Sequence, residues 1–68
     1  MVGKDMPYFR CYFMDERDGI VFPVEITADD LEIAKRHAFG ILEDRIEEFS
    51  RPIAALEIWQ GEHRLFRS

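Results

Sequence analysis

The chain has 68 residues and is short of nearly everything that staples a small fold or equips an enzyme. A single cysteine, Cys11, excludes an internal disulfide and fits a reducing, cytoplasmic setting. The four glycines, Gly3, Gly19, Gly40 and Gly61, are scattered, so no glycine-rich phosphate loop can form. Neither histidine, His37 or His63, stands at a ligating spacing to the other or to Cys11, and no metal site or cofactor is expected. The Asp15-Glu16-Arg17-Asp18-Gly19 run lacks the length and closing Glu of a calcium loop and reads as a solvated turn. No apolar run nears the ~20 residues of a membrane span, and the opening residues lack the apolar stretch of a signal peptide. Basic residues are few, nine against fourteen acidic, for a net charge of -5. That balance argues against nucleic acid as a partner. Nothing assembles a nucleophile, a base and an orienting group, so a non-enzymatic protein is expected.

What is present is alternation and amphipathicity in one domain spanning 1–68. Tyr8 to Met14 reads as a strand with Phe9, Cys11 and Phe13 on one face and Tyr8, Arg10, Tyr12 and Met14 on the other. The Asp18-Gly19 turn leads to a second strand over 20–26, with Ile20, Phe22, Val24 and Ile26 facing inward and Val21, Pro23 and Glu25 outward. Pro23 donates no backbone hydrogen bond, which places this strand at a sheet edge or at a bulge. Cys11, among inward aromatics, reads as a small buried hydrophobe.

A helix is predicted over 28–49, with Thr27 as N-cap, Asp30 as its capping-box partner and Ile26 stapled to Leu31. Leu31, Ala34, Ala38, Phe39, Ile41, Leu42, Ile46 and Phe49 form its core stripe, while Arg45 intrudes into that arc and Ile33 falls outside it. Glu43, Asp44, Glu47 and Glu48 crowd the negative end of the helix dipole, so the last turns should fray. His37 lies on its polar edge as a surface residue.

Residues 53–60 and 63–67 read as a closing hairpin about Gly61-Glu62, a type II′ turn. Pairing Gln60 with His63 sets Trp59 opposite Arg64, Ile58 opposite Leu65 and Glu57 opposite Phe66. Leu56, Ile58 and Leu65 then point to the core, and Trp59, Arg64 and Phe66 away from it.

The order is ββαββ, an α+β fold of two layers: an antiparallel four-stranded sheet with one helix on one face. The other face would carry Tyr8, Arg10, Tyr12, Met14, Val21, Trp59, Arg64 and Phe66, with Glu25 and Glu57 among them. Tyr, Trp, Phe, Met and Arg form the composition of an interface centre, so a homodimer contact or a protein partner is expected there. The alternative is cross-strand decoration, including a cation–π pair between Trp59 and Arg64. Stacked aromatics also allow a nucleotide or single-stranded nucleic-acid binder, which the missing basic residues disfavour.

Met6-Pro7-Tyr8-Phe9, the Asp18-Gly19 turn, Ala28-Asp29-Asp30-Leu31-Glu32-x-Ala34 and Leu56-Glu57-Ile58-Trp59 together resemble a family of short bacterial proteins of unknown function that open Met-Pro-x-Tyr-Phe-Phe. The resemblance implies the same ββαββ layout from Met6 on, with Met1 to Asp5 as an extension, and carries no catalytic residue. The chain departs from that pattern in a thinner acidic stretch before the helix and in Pro23. The hairpin and helix are also similar to the N-terminal part of HicB-type antitoxins, implying a partner-binding domain. The Gly-Cys or Pro-Gly element and DNA-binding tail of that family are absent here.

Overall fold

The computed structural model describes residues 7–68, so the expected extension and start at Met6 lie outside the described residues. Strands β1 (Tyr8–Met14) and β2 (Ile20–Thr27) precede helix α1 (Leu31–Asp44), a 3₁₀ turn (Ile46–Glu48) and strands β3 (Ala55–Gln60) and β4 (His63–Arg67). All pairings are antiparallel, in one open sheet of order β2-β1-β3-β4. Pro23 accordingly sits on an edge strand, where its missing N–H costs no ladder bond.

The core lies between the helix and one sheet face. Phe9, Cys11, Phe13, Ile26, Leu56 and Ile58 are buried beneath Ala34 and Ala38. The two alanines, four apart, form a smooth seam that lets the helix approach the sheet closely. Ile33, which the helical arc left out, packs against this core, while Arg45 is the exposed C-cap and does not lie over it.

Both helix ends differ from expectation. Thr27 is paired with Tyr8 in the ladder and Ala28 N–H donates to the Pro7 carbonyl at 3.1 Å, so that backbone is committed to the sheet. The N-cap is instead Asp30, whose side chain accepts from Ile33 N–H at 3.0 Å. At the other end α1 stops after 14 residues, with no basic side chain in its last turn to offset the acidic ones, and tightens into the 3₁₀ turn. Ile46 consequently leaves the core stripe and is exposed. Phe49 still reaches the core from extended backbone, its ring 5.3 Å from that of Phe13 and 5.8 Å from that of Phe22.

Each hairpin carries one bulge, and both bulges reassign faces. Asp15 organises the first turn: its carboxylate accepts from the N–H groups of Arg17 (2.9 Å) and Gly19 (2.8 Å), and Asp18 takes a left-handed φ of 62°. That closed turn sets Met14 opposite Ile20, whereas the core needs Phe22 opposite Phe13. The two registers differ by one residue, and Val21 is the extra one. Ile20 therefore lies on Met14's face, away from the helix, and is exposed, contrary to the inward position expected from strict alternation.

In the second hairpin Gly61 has φ 61° and Glu62 is not among the positive-φ residues, the sign pattern of a type II′ turn. Gln60–His63 and Trp59–Arg64 pair as expected, but beyond them Ile58 pairs with Phe66 and Glu57 with Arg67. Leu65 is the bulged residue, 41% exposed, and Phe66 turns under the helix, edge-on to Phe39 with ring centroids 6.1 Å apart and with Lys35 Nζ 4.6 Å from its ring centre. Phe66 is thus a core-side residue, not part of the outer face, and Leu65 is not in the core. The larger ring takes the larger burial. Phe66→Ala should cost about 2–3 kcal/mol and Leu65→Ala under about 1 kcal/mol. Urea titration of the two variants checks this, since an unbulged strand would reverse their order.

Candidate functional site

The face turned away from the helix is built in transverse rows, because Cα partners on all four strands line up. One row reads Glu25–Arg10–Trp59–Arg64 and the next Pro23–Tyr12–Glu57–Arg67. A third, Ile20–Met14–Ala55, is apolar. Of the residues expected here, Tyr8, Arg10, Tyr12, Met14, Trp59 and Arg64 are brought together. Phe66 is on the opposite side, and Val21 is displaced into the bulge. Ile20 and Arg67 replace them.

Glu57 is the centre of the arrangement. It is only 7% exposed on a face that has no helix above it. Its Oε1 accepts from Trp59 Nε1 at 2.9 Å, and Oε2 accepts from Arg64 Nη1 at 3.2 Å and from Arg67 Nη1. The Trp59 hydrogen bond first, then the two guanidinium groups, hold the Glu57 carboxyl below its ordinary pKa against the opposing effect of burial. Arg67 continues through Nη2 to Asp18 Oδ1 at 2.8 Å, tying β4 to the first turn.

Arg10 dresses the aromatic part of the face. Its guanidinium carbon lies 5.6 Å from the Tyr12 ring centre and 5.8 Å from that of Trp59, within cation–π range of both. Nη1 donates to the Tyr12 hydroxyl at 2.6 Å and Nη2 to the Gly61 carbonyl. The cation over Trp59 is thus Arg10 from the neighbouring strand, not Arg64, which is spent on Glu57. Between these groups is a shallow groove of about 260 Å³ lined by Arg10, Tyr12, Met14, Ile20, Glu57 and Trp59.

Ile20 and Arg67 are the two members that the alternation does not place on this face. The central role of Glu57 has a signal in the sequence, since a carboxylate between Leu56 and Ile58 on a buried strand requires arginines to meet it. Arg67 needed the bulge at Leu65 to reach this face, and no local pattern announces that bulge.

The remaining chemistry-bearing side chains stand apart from this face. Cys11 is fully buried and burial pushes its thiol up to about 12, far from a reactive thiolate. Asp15 is held below its ordinary pKa by the Gly19 and Arg17 amides and by Arg51, whose Nε donates to it at 2.9 Å, so its charge serves the turn. Among the described residues no cluster of three or more His, Cys, Asp or Glu side chains could hold a metal ion, and no helix is long and apolar enough to cross a membrane.

These features define an α+β domain whose one helix leaves an ordered, arginine-laced sheet face uncovered. The chain matches no family model, no curated protein and no solved structure.

Proposed function

We propose that this chain is a non-enzymatic protein-association module, working in a reducing cytoplasm, that docks through the open sheet face. The observation that supports it most is the near-burial of Glu57 beneath Trp59, Arg64 and Arg67 on a surface with no helix above it. The hydrogen bonds that Trp59, Arg64 and Arg67 donate to Glu57, and that Arg10 donates to Tyr12, restrain these side chains, so less side-chain entropy remains to be lost on docking. Tyr, Trp and Arg are also the residues that dominate binding energy at protein interfaces. Base stacking is less well served, because Arg10 already lies over both aromatic rings and the chain carries a net charge of -5.

Sedimentation equilibrium tests the reading. The wild-type chain should gain mass with concentration, with Trp59 emission shifting to the blue, and the Tyr12→Ala/Trp59→Ala variant should remain a monomer. Association that survives in this variant would place the contact elsewhere.

A further inference from the structure

Resting on that reading, we infer that the open face meets a second copy of this chain, sheet on sheet, about a two-fold axis that runs along the strands between β1 and β3. The rows decide the geometry. An axis in this direction sets β2 of one copy over β4 of the other and β1 over β3, so each row meets itself reversed. Reversing Glu25–Arg10–Trp59–Arg64 puts Glu25 against Arg64 of the partner subunit and Arg10 against Trp59 of the partner subunit. Both contacts occur twice, and the first pairs opposite charges at both sheet edges. In the next row Tyr12 meets Glu57 of the partner subunit. Met14 meets Ala55 of the partner subunit in the apolar row.

The other in-plane axis, across the strands, stacks each strand on its own copy, and where it runs through the Glu25–Arg64 row it sets Glu25 over Glu25 and Arg64 over Arg64. Like charges then face each other at both sheet edges. Pairing through the helix layer fares no better, since residues 28–50 carry seven acidic and three basic side chains and two such layers repel. Pairing through the sheet face turns both acidic layers outward. Arg64 has spent one amino group on Glu57, and its side chain remains 49% exposed, with further donors for a second carboxylate.

Four strands at about 4.8 Å and some 20 Å of length make a footprint of roughly 400 Å² per copy. That is smaller than the ~800 Å² of a standard interface, so the dimer belongs to the weak, reversible class.

Sedimentation equilibrium up to about 1 mM chain, with circular dichroism to confirm folding, separates the outcomes. Glu25→Arg should weaken dimerisation at least about tenfold (~1.4 kcal/mol), whereas Glu25→Asp, which keeps the charge, should retain most of it. Glu25 lies outside the Glu57 network, so its substitution spares the fold. Dimerisation abolished by Tyr12→Ala/Trp59→Ala but indifferent to Glu25→Arg would overturn the two-fold arrangement and leave the docking face standing. A dimer that survives Tyr12→Ala/Trp59→Ala overturns the face itself. A wild-type chain that is monomeric at the highest concentration overturns the second copy as its occupant.

Discussion

Phe13→Ala is expected to remove about 4 kcal/mol of stability, a large share of what a chain this size holds. Phe13 is fully buried, its ring 6.3 Å from that of Phe22 and 5.3 Å from that of Phe49. The three rings come from β1, from β2 beyond its bulge and from the segment after the 3₁₀ turn, so this one side chain ties three parts of the chain together. A chain of 68 residues is expected to hold only roughly 3–10 kcal/mol in total. Urea titration followed by far-ultraviolet circular dichroism measures the loss. A shift under about 1 kcal/mol would mean that the ring is not the keystone its burial implies.

Glu57→Ala should have the next largest effect, about 2–3 kcal/mol, less than a fully enclosed ion pair because Arg64 and Arg67 keep access to water. The change leaves two guanidinium groups side by side and Trp59 Nε1 without its acceptor. Glu57→Gln retains an acceptor for Trp59 but loses the charge, and should cost less. The pH dependence has a definite sign. The folded-state pKa of Glu57 is lowered from its ordinary 4.5, so its stabilisation is complete above that value and is lost as pH falls through the lower folded one. Asp15, also lowered, adds a loss in the same direction. Urea midpoints measured from neutral pH into acid should fall more steeply for the wild type than for Glu57→Gln. Parallel curves would show that the carboxylate is not coupled to folding.

Much of the fold was legible locally, for reasons that differ by element. β1 announced itself because Phe9, Cys11 and Phe13 alternate with Tyr8, Arg10 and Tyr12, and both faces are where the alternation puts them. Gly61 marked its turn because a left-handed φ disfavours other residues. The helix was legible in kind but not in extent. Thr27 and Asp30 are both good caps, and the choice between them fell to a ladder bond with Tyr8 that no helix rule contains. The candidate face was readable in its β1 half and in Trp59 and Arg64. It failed at Val21 and Phe66, each beside or at a bulge, where one extra residue reverses every face assignment beyond it.

The order of elements, the acidic helix layer and the aromatic strand β1 are set locally, because they depend on period, charge and turn chemistry within a few residues. The two bulges came from tertiary packing, and with them the half-burial of Phe66 under the helix, the exposure of Ile20 and the reach of Arg67 to Glu57. The physical reason is a conflict between two local demands. Each tight turn dictates one register at its own end, the shared core dictates another one residue away, and only when helix and sheet meet does burial of the larger side chains settle the difference.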